Sequence, residues 1–298
     1  MDHAYHGHSP SMVELSPYKF NGRGGEGQAD HVAVVPMPDA YRGAVRDAAD
    51  AGPRYGRMLA GAIDELRAHG HRPAAFYCES LLGCGGQIIL PGEAYGHVRA
   101  AGGLCLADEV QVGFGRVGDA MWAFEQQGVV PDILTLGKPI GNGHPMGAVV
   151  TTPEVAASFV TGMEYFNTFG GNPVSCAIGL AVLEVIEDEQ LQTNAARVGE
   201  FLMTGLRDLQ ARHAGIGEVR GRGLFIGAEF VSDAAARSPD PARARVVVEA
   251  MKARHVLLST DGPDDNVLKI KPPIVFSRAN AEEFLEKLDG VLGALPVG

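Results

Sequence analysis

Positive charge is in short supply. The 298 residues carry 25 Lys+Arg against 36 Asp+Glu, a balance of −11. General binding to nucleic acid or an anionic membrane, which favours basic surfaces, is thereby argued against, although a local basic pocket for an anionic ligand is not. Cysteine is also rare: Cys78, Cys84, Cys105 and Cys176 form no CxxC pair. Neither a disulfide framework nor a cysteine zinc site follows, and a reducing cytoplasm is the expected compartment. No apolar run approaches the ~18–20 residues of a membrane span. The opening MDHAYHGHSP has no positive stretch followed by an apolar one, so it does not read as a signal peptide. Internal repeats are missing too. With 46% hydrophobic and 20% charged residues the chain can fill a core, and its length suggests two domains or one with an appendage.

Glycine is abundant instead, 40 residues against a usual ~7% share. The glycines cluster at Gly83–Gly86, Gly113–Gly118, Gly141–Gly147 and Gly170–Gly171, as expected of tight loops where backbone approaches a ligand or another chain. Residues 1–31 read as loop. A helix is expected over 56–68, then short apolar strands over 74–78, 103–109, 133–137 and 147–152, with a helix over 93–101 and a helical turn or two near 121–128. Such alternation favours a largely parallel sheet in an α/β layer. From Pro173 to His213 the period is helical, broken near 187–194. Ile178, Val182, Val185 and Ile186 form one stripe, and Val198, Leu202, Leu206 and Leu209 another. Strands over 224–231, 256–259 and 267–271, with helices over 246–254 and 281–295, complete a mixed tail that reads as a smaller α+β domain. Division falls at 1–185 and 186–298, with the helix from Pro173 as bridge.

Two residues carry the chemistry. Asp108 ends the strand GLCLAD and Lys138 follows ILTLG, so both lie at the carboxyl edge of a parallel sheet, where open α/β folds bind ligands. A lysine and an aspartate so placed suit a pyridoxal phosphate enzyme: the lysine forms a Schiff base and the aspartate keeps the pyridine nitrogen protonated. On spacing alone the plainer alternative, a loop lysine and a helix-capping aspartate, is the heavier. Two other patterns compete. GFGRVG (113–118) matches G-x-G-x-x-G, but DEVQV separates it from the strand core and no acid closes a following strand at the right distance, so dinucleotide binding is disfavoured. His3, His6 and His8 lack a partnered carboxylate set, so no metal is expected. Cys176 reads as a small buried residue.

The words ADEVQVGFGRVG, DILTLGKPIGNGHPMGAVV, FNTFGGNPVSCAIGLAVLEVIEDE and AYHGH resemble class III aminotransferases of pyridoxal phosphate fold type I, across essentially the whole chain. YCESLLGCGGQIILP and VLKIKPPI look most like the phospho-lyase branch, which acts on ethanolamine phosphate or 5-phosphohydroxylysine. The resemblance implies pyridoxal 5′-phosphate as cofactor, Lys138 as its Schiff-base lysine and Asp108 as partner of the pyridine nitrogen. It places Tyr5 on the cofactor ring with His6 beside it, Gln111 by the phenolic oxygen, and Glu79 nearby. Thr168 is the residue that reaches the cofactor phosphate of a neighbouring subunit, which implies a homodimer with shared sites.

Three departures from the family pattern bear on function. The family's first third, with its phosphate-binding turn at a helix N-terminus, has no counterpart here, so weak cofactor binding by this chain alone is expected. Cys84 stands where transaminases carry a second glutamate, and Lys269 stands where many relatives carry a carboxylate-binding arginine. Both changes suit a phosphorylated amine, because lysine is a point charge without the bidentate fork. The plainer alternative for Lys269 and Lys271 is the exposed face of an edge strand. The preferred reading is a phospho-lyase acting on a primary amine; the alternatives are a transaminase passing its amino group to a keto acid, and a non-catalytic chain that pairs with a longer relative.

Overall fold

A computed structural model describes residues 1–46, 48–91 and 94–295. The expected helix over 93–101 begins on Glu93, and the expected second domain ends on 296–298; those positions lie outside the described residues. The elements begin with two short helices, α1 (Pro10–Leu15) and α2 (Pro17–Phe20), and the long α3 (Ala48–Ala68). Strands β1 (Ala75–Glu79), β2 (Leu81–Leu82) and β3 (Ile88–Ile89), helix α4 (Ala94–Ala100) and strand β4 (Leu104–Asp108) follow. Then come a 3₁₀ turn at Ala123–Gln127, β5 (Ile133–Leu136), a second 3₁₀ turn at Lys138–Gly141, β6 (Ala148–Thr151), α5 (Pro153–Phe159), α6 (Pro173–Asp188) and α7 (Leu191–Arg212). The remainder is β7 (Ile216–Arg222), β8 (Phe225–Asp233), β9 (Ser238–Pro239), α8 (Pro241–Lys252), β10 (Ser259–Asp261), β11 (Val267–Ile270) and α9 (Arg278–Ala294).

The first sheet has the order β1-β4-β5-β6, with β1, β4 and β5 parallel. β6 returns antiparallel on β5 after a connection too short for a crossover. The register aligns Glu79 with Asp108, and Asp108 with Thr135. Three strands therefore end level, and Lys138 follows three residues beyond Thr135. α6 packs on the Lys138–Gly141 turn and on α7. Its start is fixed by Asn172, whose side chain accepts the Ser175 N–H, with Pro173 in the first turn.

The second sheet has the order β10-β11-β8-β7, wholly antiparallel, with β9 on β8. α7, α8 and α9 cover it, and Val198, Leu202, Leu206 and Leu209 form one side of its core, the stripe read from the sequence. Asp240 caps α8 by accepting the Arg243 N–H, and Ser277 caps α9 in a box with Asn280. Position 185, the expected boundary, falls inside α6.

Several expectations need correction. Residues 1–31 are not merely loop: Ala4, Ser16, Pro17 and Phe20 are buried, the last two in α2, and both helices are too short to show a period. α3 starts at Ala48, not 56, because the helix runs through Pro53. β7 was not expected, since IGEVRGR is broken by glycines and buries only Ile216 and Val219. The strand expected over 256–259 begins at Ser259, because the Val256 N–H still bonds to the Met251 carbonyl at the end of α8. Cys176 is exposed on α6. Lys269 and Lys271 are not on an edge strand, for β11 lies between β10 and β8.

Candidate active site

A cavity of about 690 Å³ opens at the carboxyl ends of β4 and β5. Lys138, Gln111, Phe114, Arg116 and Lys271 line it, together with the α6 stripe Ile178, Val182, Val185 and Ile186. Lys138 has φ +37°, a left-handed conformation unusual for a lysine. The turn holds it there, the Ile140 N–H donating to the Gly137 carbonyl. Strain of this kind collects at functional positions. The Lys138 amine makes no hydrogen bond or ion pair among the described residues and is exposed to the cavity.

Asp108 is buried and held on both oxygens. Val110 N–H donates to Oδ1 at 3.1 Å, and His6 Nδ1 lies 2.9 Å from Oδ2. The His6 ring is itself buried against Tyr77, centroids 4.1 Å apart. Burial lowers its pKa despite the pull of Asp108, which keeps the imidazole neutral. Nδ1–H is then the donor to Asp108, and buried Nε2 has no partner among the described residues. The backbone N–H of His6 donates to Ser16 Oγ at 2.9 Å, which bolts the α1–α2 pair to the site.

Glu79 is buried beside Asp108. Its oxygens accept the Tyr5 N–H at 3.1 Å and the Gly83 N–H at 2.9 Å. Burial, with Asp108 alongside, still pushes its pKa up to about 7. Gly83 leaves room for this packing, since a Cβ there would meet Gln111 Nε2 at 2.8 Å. Lys271 Nζ donates to Gln111 Oε1 and sits 5.3 Å from the Phe225 ring centre. Burial, then Lys269, brings its pKa down to about 7. Burial and the acids Glu79 and Asp261 push the Cys84 thiol up to about 12, so it stays neutral. Burial would lower Lys269, but Asp261 at 2.7 Å outweighs it and raises its pKa.

The buried carboxyl and amine give opposite pH dependences. Unfolded Glu79 titrates near 4.5, so between there and about 7 the folded chain holds the extra proton and stability falls as pH rises. Unfolded Lys271 titrates near 10.5, so between about 7 and there the unfolded chain holds the extra proton and stability rises with pH. Glu79→Gln is therefore expected to gain on wild type as pH climbs from 5 to 7, by on the order of 2 kcal/mol. Lys271→Met should lose its advantage between pH 7 and 10. Urea midpoints across that range check both; parallel curves for wild type and variants would overturn the assignment.

Of the residues expected from the sequence, Gln111 and Lys138 line the cavity; contacts join His6 to Asp108, Tyr5 to Glu79, and Glu79 to Gly83 beside Cys84, Lys269 pairs with Asp261, and Thr168 stands apart. Thr168 lies on the exposed stretch 160–171. The GFGRVG glycines serve packing: a Cβ on Gly118 would lie 2.6 Å from the Ala196 backbone of α7. The three histidines diverge, His3 pairing with Asp2, His6 with Asp108, and His8 facing solvent. Arg116 and Lys271 were not singled out as site residues from sequence. Arg116 is held by the Leu224 and Pro272 carbonyls, partners more than 100 residues away. No helix among the described residues is long and apolar enough to cross a membrane.

A buried Asp108 bonded to His6, a lysine beyond the neighbouring strand that is unpaired among the described residues, and a cavity beside that lysine fit pyridoxal phosphate. The class III aminotransferase family model matches residues 1–292. Alanine--glyoxylate aminotransferase 2-like of Drosophila melanogaster is 54% identical over 295 residues, covering 96% of this chain and 60% of its own. Ethanolamine-phosphate phospho-lyase homolog 1 of Caenorhabditis elegans is 42% identical, covering 98% of this chain and 66% of its own. The chain thus spans less than two thirds of the length of these curated relatives. A phospholyase from Arthrobacter, solved in complex with phosphoethanolamine, superposes with a TM-score of 0.92 at 39% identity, covering 99% of this chain and 70% of that one. The chain belongs to the class III aminotransferases, a family of pyridoxal-phosphate-dependent enzymes of fold type I.

Proposed function

We propose that this chain holds pyridoxal 5′-phosphate and acts as a phospho-lyase on a phosphorylated primary amine such as ethanolamine phosphate or 5-phosphohydroxylysine. The observation that carries the reading is the wall around Cys84, which has a neutral thiol where an acid would repel phosphate, and Lys269 and Lys271 facing it. The names of the Caenorhabditis elegans and Arthrobacter relatives support it.

Bound in the crevice, the cofactor supplies an aldehyde that joins the amine and a ring that accepts the electron pair left on deprotonation. Lys138 would hold the cofactor and would accept the proton from the amine-bearing carbon of the substrate. Asp108, held by His6 and Val110, would pair with the protonated pyridine nitrogen. Tyr5 would pack against the ring, and Gln111, whose oxygen accepts from Lys271, would offer its NH₂ to the phenolic oxygen. In elimination the carbon–oxygen bond to phosphate breaks; with water consumed, the products are inorganic phosphate, an aldehyde and ammonia.

Thr168 completes the site of a second copy in a homodimer. The stretch bearing it supports this, for Met163, Tyr165, Phe166 and Phe169 are each more than 70% exposed, an apolar patch that a lone chain leaves in water. Residues 1–185 form the cofactor-binding domain with the start of the bridging helix, 186–298 the smaller C-terminal domain, and the reducing cytoplasm is the compartment assigned. Transamination is the second reading, favoured by the name of the Drosophila melanogaster relative.

With added pyridoxal phosphate, ethanolamine phosphate should release inorganic phosphate without any keto-acid acceptor. Cys84→Glu should slow that release at least about tenfold, because it returns a like charge to the phosphate. Amino transfer to pyruvate or 2-oxoglutarate with no phosphate released would replace the lyase reading with transamination.

A further inference from the structure

The GFGRVG loop (113–118), whose glycines serve packing, also carries Arg116 into the wall of the active-site cavity. The loop is a fixed turn: the Gly115 N–H donates to the Met121 carbonyl and the Gly118 N–H to the Gly115 carbonyl, each at 3.0 Å. At Arg116 itself, the backbone carbonyl accepts the Leu224 N–H at 2.9 Å. The side chain is braced as well, Nη1 donating to the Leu224 carbonyl at 3.1 Å and to the Pro272 carbonyl at 2.8 Å. Those bonds aim the guanidinium but use only one of its nitrogens. Nε and Nη2, which share the opposite edge of the fork, bond to nothing among the described residues.

The charge of the cavity is one-sided. Arg116, Lys138 and Lys271 line it, and no aspartate or glutamate is among the described residues that do. Arg116 makes no ion pair elsewhere among those residues, and burial alone acts on its charge, lowering its pKa. The Pro272 carbonyl that braces it adjoins Lys271, and after burial and Lys269 the charge of Arg116 also helps to lower Lys271. Of the acids that act on Lys271, Asp261 is paired with Lys269 at 2.7 Å, and Glu79 accepts two backbone N–H bonds. Two cations thus share one wall of a cavity without a counter-ion, and one of them presents a free pair of parallel donors. Such a wall is built to receive an anion with several oxygens.

We propose that Arg116, with Lys271 beside it, seats the phosphomonoester of the substrate and is a specificity-determining residue of the reaction. This rests on the phosphorylated-amine reading above. Two phosphate oxygens take the Nε and Nη2 edge, and the double charge matches the two cations. Pyridoxal phosphate carries the same group. Lys271, however, is bonded to Gln111, which that reading sets by the phenolic oxygen, and the pyridoxal ring bears its phosphate arm on the other side of the aldehyde carbon. The substrate is therefore the occupant assigned.

The test uses the 298-residue chain with added pyridoxal phosphate. Phenylglyoxal, which modifies accessible guanidinium groups, should label Arg116, and ethanolamine phosphate should protect it where ethanolamine does not. In calorimetric titration, Arg116→Met should weaken ethanolamine phosphate about tenfold and leave ethanolamine and pyridoxal phosphate unchanged. Arg116→Lys should recover part of that loss. Because Arg116 also braces two carbonyls, a purely structural role would weaken all three ligands alike, and that result overturns the assignment. So do equal labelling with and without ethanolamine phosphate, no measurable binding of it by wild type, and a loss confined to pyridoxal phosphate. Where Arg116→Met fails to fold, the labelling of the unaltered chain decides. The lyase reading fails separately: ethanolamine phosphate held through Arg116 with no phosphate released refutes that reading alone.

Discussion

Lys138→Ala is expected to abolish covalent capture of the cofactor and to cut turnover by at least about 10³-fold, since one substitution removes both the anchoring amine and the proton acceptor. The position supports this. Lys138 leads out of β5 in a left-handed conformation, its amine unengaged, one strand from Asp108. Borohydride reduction of the loaded wild-type chain followed by peptide mapping should place the pyridoxyl group on Lys138, and the variant should yield no labelled peptide. A label on another lysine in wild type would overturn the assignment.

Glu229→Ala carries the largest expected cost in stability, about 3–5 kcal/mol, the usual loss when one member of a buried ion network is removed. Glu229 is fully buried in β8. It accepts from Arg42 and, at 2.6 Å, from Arg220 Nη1, and Asn266 Nδ2 lies 3.3 Å away. Arg42 also reaches Asp264 at 2.6 Å, so the Asp39–Gly43 loop is clasped onto the second sheet. Without Glu229, two guanidinium groups face one another across a buried gap. Urea unfolding should show the loss, and Glu229→Gln should recover part of it by keeping an acceptor in place. An Ala variant within 1 kcal/mol of wild type would mean that water enters freely and compensates.

Much of this was legible in the residues. Asp108 and Lys138 stood out because each follows a short apolar strand, and burial on both sheet faces imposes that pattern. The α7 stripe showed its period because one face of a long helix meets one core. Other features have no local signature. The bond from His6 to Asp108 joins residues 102 positions apart, and nothing in AYHGH marks which carboxylate the imidazole will meet. β7 is hidden by its glycines, and α1 and α2 by their brevity. Lys271 looked like its neighbour Lys269 two residues earlier, yet one meets Gln111 and the other Asp261. That difference is set by what packs against β11, which a single strand does not encode.

The site is assembled from two parts of the chain, joined by the bond from Lys271 to Gln111. Asp108 and Lys138 are placed by the register of the parallel strands, whereas Lys269 rides on β11 with Lys271 just past its end, and Cys84 is latched to the same side by the Gly262 N–H donating to its carbonyl at 3.0 Å. Divergence among related chains can therefore proceed by exchanging the second half while inheriting the first intact. A few substitutions along β11 and the Cys84 loop would reshape one wall without disturbing the strand register that sets Asp108 and Lys138.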